Sequence, residues 1–417
     1  MLGSTLMVNA QSGTNSPYSQ YGLGVLSDQT SGFNRGMNGV GLGFHEHNQV
    51  NYLNPASYSA IDSMTFILDA GISGQVTNFN EKGVKKNANN SNLEYVVAGF
   101  RLFRNVGMSF GIVPFTNVGY NYVGSTKDLD LIKETASVEY EGSGGFHQAY
   151  LGLGWSPVRN LSLGANLSYL WGNIERDLVL SFTTSSYSTL SRTYTVSVNS
   201  YKVDLGLQYT LDLGKKDALT LGLTFSPKHN LGGNADMSVI STRTVSDTAS
   251  YSIDKAYSIP NMYGIGLMWN HNGQWKIGLD YSLQKWGELG YPLFDNRNSI
   301  YELKSDVYMD RSKFNLGFQY CYAENGRASF LKRVHYRAGV SYATPYYKVN
   351  GVDGPKEISV SAGFGIPIMN GYNNRSQLNI SGQWVKSSAK DLIKENSFRI
   401  NIGFTFNEDW FKKWKMQ

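Results

Sequence analysis

The sequence predicts an all-β fold: a 14-stranded antiparallel transmembrane β-barrel of the outer-membrane type, with an N-terminal hatch in its lumen. Three observations predict it. Between residues 63 and 407, segments of nine or more residues alternate apolar with polar or small side chains. The connections between these segments alternate between long and short. The composition, with 45 Gly, 28 Tyr, 20 Phe and only 10 Pro, is typical of barrels with aromatic girdles.

The alternating segments have the length and period of membrane-crossing strands. In 161–169, odd positions carry Leu, Leu, Ala, Leu and Tyr, whereas even positions carry Ser, Gly, Asn and Ser. Residues 201–209 and 398–406 follow the same period of two. A tilted strand crosses a bilayer in about 9–11 residues, and no run here approaches the roughly 18 apolar residues of a membrane helix. The pattern predicts an apolar face toward lipid and a polar face toward the lumen.

An even number of strands places both chain ends in the periplasm. The predicted strands cover residues 63–79, 93–104, 106–124, 137–156, 159–183, 194–212, 217–228, 257–270, 274–287, 301–322, 333–348, 356–368, 376–387 and 397–407. Long outer connections are predicted near residues 80–92, 125–136, 184–193, 229–256, 288–300, 349–355 and 388–396. Tryptophans near strand ends predict the girdles at the membrane interfaces: Trp155, Trp171, Trp269, Trp275, Trp286 and Trp384.

Other classes of protein fit less well. A soluble β-sandwich or propeller would have shorter strands or a repeat, and we find no repeat. The net charge of +5 predicts no nucleic-acid partner. No G-x-S-x-G motif occurs and the six histidines show no pairing with a nucleophile, so we expect no enzyme and no cofactor. His45-Glu46-His47 lacks an identifiable third ligand, so no metal site is predicted. Cys321 is the single cysteine, which excludes an internal disulfide.

The two ends of the chain differ from the barrel. Residues 1–10 are apolar and end in Val8-Asn9-Ala10, so they are predicted to be a signal-peptide remnant. Residues 408–417 are predicted to be a periplasmic tail. Residues 11–62 lack the period of two but carry scattered apolar side chains, which predicts a hatch folded into the lumen. The alternative is a free periplasmic segment.

Several motifs resemble the long-chain fatty-acid transporter family (FadL/TodX-like). Arg35-Gly36-Met37-Asn38-Gly39-Val40-Gly41, followed by Asn54-Pro55-Ala56 before the first strand, is similar to the family's hatch. Gly111-Ile112-Val113-Pro114-Phe115 resembles its third strand. Residues 156–164 and 225–235 resemble a turn and a strand leading into a large outer loop. The basic, aromatic tail looks more like outer-membrane proteins of the Bacteroidetes.

The resemblance implies passive uptake of a hydrophobic, fatty-acid-like molecule with a moving hatch. The implied gating residues are Gly36, Gly39, Asn54, Pro55 and Ala56. Pro114 has an independent physical meaning, because proline has no N–H and interrupts a hydrogen-bond ladder. With Phe115 it marks a candidate kink through which a ligand would leave sideways into the membrane. A tolerated bulge near the rim is the alternative.

Two predicted outer loops carry apolar residues in polar surroundings. They are Met237, Val239 and Ile240 in one loop, and Leu289, Tyr291, Leu293 and Phe294 in the other. Exposed apolar patches often mark binding surfaces, so these residues are candidates for a ligand-entry groove. The compatible alternative is that the two loops pack on each other as a cap.

The sequence therefore predicts an outer-membrane channel without a cofactor. Its expected partners are a hydrophobic small molecule, outer-membrane lipid or lipopolysaccharide, and the barrel-assembly machinery during biogenesis. Protein partners stay open, because related barrels also serve as subunits of larger machines. The alternative function is accordingly a non-transporting barrel that docks partners in an outer-membrane secretion or assembly complex.

Overall fold

A computed structural model describes residues 13–125, 136–182, 188–242, 246–295, 298–323, 328–368 and 376–409. The predicted signal segment and all but two residues of the predicted tail lie outside this range. No helix among the described residues is long and apolar enough to cross a membrane.

Fourteen antiparallel strands form a closed barrel, and the third strand is divided into two pieces. The strands are β1 (Thr65–Glu81), β2 (Val84–Phe103), β3a (Val106–Pro114), β3b (Thr116–Ser125), β4 (Ala136–Val158), β5 (Leu161–Phe182), β6 (Thr189–Asp212), β7 (Asp217–Ser226), β8 (Met262–His271), β9 (Trp275–Gln284), β10 (Arg311–Tyr320), β11 (His335–Ala343), β12 (Lys356–Pro367), β13 (Gln377–Ser388) and β14 (Lys394–Asp409). The barrel closes where β1 pairs with β14, from Thr65 opposite Asp409 to Asn80 opposite Lys394. We call the end with Thr65 and Asp409 the terminal end, and the opposite end the loop end.

The period of two places apolar side chains on the outside of the wall. In β1, Leu68, Ile72 and Val76 are 40%, 56% and 51% exposed, whereas Asp69 and Ser73 between them are buried. This is an inside-out arrangement for a water-soluble protein and the normal one for a barrel in lipid. The predicted fold class is confirmed.

The loop end contains more strand than the sequence predicted. Residues predicted as the 80–92 loop continue the β1–β2 ladder up to a turn at Lys82 and Gly83. Two further outer hairpins form, Ala235–Thr242 with Ser246–Ile253 and Tyr291–Asp295 with Ile300–Lys304. The predicted strand 301–322 was wrong at its start, because Ile300–Lys304 belongs to a hairpin and β10 begins at Arg311. The outer hairpins lie beyond the lipid-facing band of the wall, so they lack the sustained apolar–polar alternation that predicts a membrane strand.

The connections between barrel strands also contain short paired strands and helical turns. The short paired strands are His229–Asn230 with Ser258–Ile259, and Lys348–Val349 with Val352–Asp353. In the described part of the chain that follows β1, helical turns form at Trp286–Glu288 and Phe330–Arg333. Trp286 is fully buried among loop-end tyrosines, so it does not belong to a girdle as predicted.

The described residues before β1 contact inward-facing residues of the barrel wall. We call Gly13–Asp62 the lumen segment. It contains helical turns at Pro17–Gln20, Gly32–Arg35 and Pro55–Ala60 and a two-residue strand, Val25–Leu26. Phe33, Met37 and Val40 are fully buried. The carbonyl carbon of Met37 would overlap a Cβ on Gly339 of β11, so this segment contacts the inner face of the wall.

Candidate functional site

The motif Asn54-Pro55-Ala56 lies against glycines on the inner face of the wall. The Asn54 side chain accepts a hydrogen bond from the Ala56 N–H, and Pro55 occupies the first helical position, so both residues favour a helix start. A Cβ on Gly164 of β5 would overlap the backbone of Pro55 and Ala56. Glycine is required there because the backbone of the lumen segment approaches the strand directly.

Asn54 also ties the motif to strand β6 and to another part of the lumen segment. Its Nδ2 donates to the carbonyl oxygens of Leu42 at 2.9 Å and Leu207 at 3.2 Å. Because Asn54 is fully buried, these bonds satisfy groups that water cannot reach. The motif is therefore fixed to β6 in this structure.

Buried charges hold the middle of the lumen segment. Arg35 pairs with Glu94 at 2.9 Å and donates to Asn401 Oδ1 at 3.0 Å, and both partners of the ion pair are less than a tenth exposed. A β-bulge where Gly71 and Ile72 meet β2 lets both Glu94 and its neighbour Tyr95 point inward. The pair therefore connects the lumen segment to β2 and β14.

A second charged contact lies nearer the loop end. Asp28 pairs with Lys313 at 3.0 Å and with Arg399 at 3.3 Å. These wall residues come from β10 and β14, which lie four strands apart in the barrel. The carboxylate therefore bridges the lumen.

Acid is expected to loosen this second contact only at low pH. Burial alone would raise the pKa of Asp28, but Lys313, Arg399 and Arg35 hold that pKa below its ordinary range. The contribution of Asp28 is therefore complete above the pKa of a free aspartate, about 4, and is lost as the pH falls toward the lower pKa of the docked residue. Limited proteolysis of the lumen segment with pepsin from pH 5 to pH 2 would measure this, with Asp28→Asn as the variant in which the dependence is reduced.

The two predicted gating glycines occupy tight positions. Gly36 ends the turn Gly32–Arg35, and a Cβ there would lie 3.0 Å from Cβ of Arg337. Gly39 has a φ of 88°, a conformation that side chains disfavour. Both glycines thus allow the lumen segment to turn close to the wall, and a gating role for them stays a prediction.

The third strand is interrupted at the predicted proline. β3a ends at Pro114, β3b begins at Thr116, and both pair with β4. The Pro114 carbonyl accepts a hydrogen bond from Gln29 Nε2 at 2.7 Å. The Phe115 N–H donates to the Phe146 carbonyl at 2.7 Å, and the Phe115 side chain is buried in a loop-end cluster.

This interruption opens a seam on the other side of the third strand. The β2–β3a ladder ends where Val96 meets Ile112. Among the described residues, β3b has no ladder with β2; instead it pairs with the lumen segment at Val25 and Leu26. We call the space between residues 84–95 of β2 and β3b the side seam.

The start of the lumen segment occupies the side seam through side-chain contacts. The Gly13 carbonyl accepts from Asn90 Nδ2 at 2.8 Å and from Asn92 Nδ2 at 2.7 Å. Asn15 Nδ2 donates to the Asn89 carbonyl at 3.0 Å. On the opposite edge, the Gly119 N–H donates to Ser19 Oγ at 3.1 Å. The seam is thus bridged from inside and is lined by amides.

A family model described as BamG matches residues 1–417, which is the whole chain. The chain belongs to the BamG family. Among curated proteins, none matches it by sequence.

Solved structures share the fold of this BamG-family chain. The Ralstonia pickettii toluene transporter TbuX is 14% identical with a TM-score of 0.62, covering 91% of this chain and 98% of that one. A Pseudomonas aeruginosa FadL homologue is 12% identical with a TM-score of 0.63, covering 93% and 99%. The CymD monoaromatic hydrocarbon channel is 17% identical with a TM-score of 0.58, covering 92% and 98%.

These identities establish a common fold and nothing finer. The resemblance to the fatty-acid transporter family is confirmed at that level. By name, these neighbours are a monoaromatic hydrocarbon channel, a toluene transporter and a FadL homologue.

In the BamG-family chain, the two apolar outer segments contact each other. The Tyr251 and Phe294 rings lie 5.3 Å apart, and Arg192 lies 4.7 Å from the Phe294 ring. Met237, Leu289 and Tyr291 are buried, Val239, Ile240 and Phe294 are half-buried, and Leu293 is 38% exposed. The two segments therefore pack on each other, and a role in ligand entry stays a prediction.

The residues of the His45-Glu46-His47 motif point to separate partners. His45 Nδ1 lies 2.7 Å from Gln208 Oε1, and His47 Nδ1 lies 2.8 Å from Asp62 Oδ2. Glu46 pairs with Lys276 at 2.6 Å. The motif therefore anchors the lumen segment and does not converge on a common point.

Sequence reasoning missed the charged anchors of the lumen segment. They are Asp28, Arg35, Glu94, Lys313 and Arg399. For Lys313 and Arg399 the available signal was a charged residue within a membrane-length strand, because such a charge needs a partner inside the barrel.

Proposed function

We propose that this BamG-family protein is a non-transporting barrel that docks partner proteins in an outer-membrane assembly complex. The observation that carries the proposal is the lumen segment, which is fixed to the wall by buried ion pairs. The BamG family name, which points to assembly machinery, supports the same reading. Such a barrel does not need an open interior, because its function is to present a surface to which partner proteins bind.

The energetics of the lumen segment support a closed interior. Removing one partner of a buried ion pair typically costs 3–5 kcal/mol, so a spontaneous opening that separates Arg35 from Glu94 would be rare. Close approach of backbone to wall glycines such as Gly164 adds contacts that an opened segment would lose. Both features favour a stable plug.

Apolar residues outside the membrane-facing wall support docking. At the terminal end, Tyr322, Phe330 and Leu331 are 48%, 52% and 67% exposed around the connection between β10 and β11. Apolar groups exposed together often mark an interaction surface. Lys332 lies 4.8 Å from the Tyr322 ring and adds a positive charge beside them.

Co-purification in mild detergent tests the docking function. We expect at least one stoichiometric protein partner, and we expect Phe330→Ser with Leu331→Ser to reduce its yield several-fold. Leu303→Ser, at a 47% exposed position of a loop-end hairpin, is the matched control. A monomeric protein without a partner, purified from native membranes, would contradict the proposal.

The second candidate function is passive uptake of hydrophobic small molecules. It is favoured by the fold shared with hydrocarbon channels and by the interruption at Pro114. A ligand would enter between the outer hairpins, pass the lumen segment as its hatch, and leave sideways near Phe115. Partition would drive the process, at about 0.8 kcal/mol for each methylene buried.

Uptake assays separate the two candidates. If the protein is a channel, deleting residues 11–50 will raise the uptake of a fluorescent fatty acid in cells, and Pro114→Val will lower the uptake of the full-length protein by restoring a donor to the third strand. Pro260→Val in an outer connection is the control. Unchanged uptake in both test variants would remove the channel candidate and leave docking.

A further inference from the structure

Two strand edges in the wall lack a strand partner at the side seam. Among the described residues, the edge of β2 from Val84 to Tyr95 forms a ladder with β1 alone. The facing part of β3b, from Val118 to Ser125, pairs with β4 alone. Unpaired strand edges offer a row of N–H and C=O groups to any extended chain.

Part of this free edge lies in the membrane-facing portion of the wall. Leu93 pairs with Ile72, and Asn89 pairs with Val76, the last exposed apolar residue of β1 before Asn78 and Asn80. Backbone groups at bilayer depth cannot bond to water, and leaving them unpaired costs several kcal/mol each. The edge between Asn89 and Leu93 therefore needs a hydrogen-bonding partner.

The lumen segment supplies only a partial substitute for a strand. Asn15 bonds the backbone carbonyl of Asn89, and the side chains of Asn90 and Asn92 bond the Gly13 carbonyl. Within the described part of the chain, no ladder joins Gly13–Ser16 to β2. Such a closure is weaker than a ladder and can be exchanged for one.

The chemistry of the seam selects its occupant. The side chains of Asn90 and Asn92 donate to the Gly13 carbonyl, and these amides need another hydrogen-bonding group once Gly13–Ser16 leaves. A hydrocarbon would leave these amides unsatisfied, whereas an extended polypeptide bonds to them and to the strand edge together.

We propose that the side seam accepts an extended strand of a partner outer-membrane protein. That strand pairs with the edge of β2 at Asn89–Leu93 and displaces Gly13–Ser16. The inference rests on the docking function and names one place where docking occurs, in addition to the terminal-end surface.

Photocrosslinking in living cells tests the proposal. Ser91→p-benzoylphenylalanine places the probe on the exposed face of the free edge. Gly382→p-benzoylphenylalanine is the control, because Gly382 lies in β13 between two paired neighbours and a Cβ there meets nothing closer than 3.6 Å. We expect one discrete protein adduct at Ser91, at least ten-fold stronger than at Gly382, whose crosslinked peptide maps to an extended strand of the partner.

A reversible lock makes the test specific. A Cβ on Gly13 would lie 2.7 Å from Cγ of Asn117, so Gly13→Cys with Asn117→Cys, in a Cys321→Ser background, can hold the lumen segment in the seam. We expect the oxidised lock to abolish the Ser91 adduct and reduction to restore it. An adduct that persists in the lock, equal adducts at Ser91 and Gly382, or an adduct of lipid mass would overturn the proposal. Co-purification of a partner without a Ser91 adduct would show that the partner binds elsewhere. It would contradict the proposal for the side seam but not the docking function.

Discussion

Arg35→Met will release the lumen segment from the wall while the barrel stays closed. The substitution removes the ion-pair partner of the buried Glu94 carboxylate, which keeps a hydrogen bond from the Ser73 hydroxyl, and it removes the bond to Asn401. Removing one member of a buried pair typically costs 3–5 kcal/mol. We expect residues 13–62 to become sensitive to protease in the detergent-solubilised barrel, and we expect ion conductance to appear in planar bilayers.

Two variants check the cause of that effect. Arg159→Met removes an ion pair of 3.8 Å whose side chains are 90% and 53% exposed, and it should change protease sensitivity little, because exposed pairs contribute about 0–1 kcal/mol. Adding Glu94→Gln to Arg35→Met removes the unpaired charge and should restore part of the protection. If Arg35→Met resists protease as well as wild type, the ion pair does not fix the lumen segment.

Gly164→Val will destabilise the docked state by forcing the Asn54-Pro55-Ala56 turn away from β5. The new side chain would overlap the backbone of Pro55 and Ala56, and a backbone turn cannot move aside as a flexible side chain can. Overpacking typically costs 1–3 kcal/mol, and we expect a value at the upper end. A lower midpoint of heat-induced unfolding, measured by the mobility shift of folded barrels in gels, will report the loss.

The source of this strain can be located by deletion. Gly74→Val is the matched control, because a Cβ at Gly74 meets nothing within 4 Å. In a barrel lacking residues 11–62, Gly164→Val should cost no more than Gly74→Val, since the colliding turn is gone. An equal loss with and without the lumen segment would place the strain in the wall and contradict the assignment.

The wall could be predicted from the sequence because lipid imposes a simple rule on it. Each outward position in strands such as β5 must be apolar, whatever the neighbouring strand contains, so the period of two is visible in one chain. The interruption at Pro114 was visible for a similar reason, because proline lacks the N–H that a ladder requires. These are local constraints.

The loop end and the anchors could not be predicted in the same way. Strands such as Ala235–Thr242 lie beyond the lipid-facing band of the wall, so the hydrophobic pattern of a membrane strand fails there while backbone hydrogen bonds still form the hairpin. Arg35 and Glu94 are 59 residues apart, and only a β-bulge turns Glu94 inward beside Tyr95. Neither feature leaves a local signal.

The sequence by itself determined that this chain forms a fourteen-stranded barrel with its apolar face outward. Each strand must present apolar side chains to lipid whatever its neighbours contain, so the pattern is visible strand by strand. Only the tertiary structure decided how the interior is closed. Asp28 meets Lys313 and Arg399, and Gly13 meets Asn90 and Asn92, only after the wall has curved into a ring. Such contacts depend on positions far apart in the chain, and no spacing along it encodes their distance.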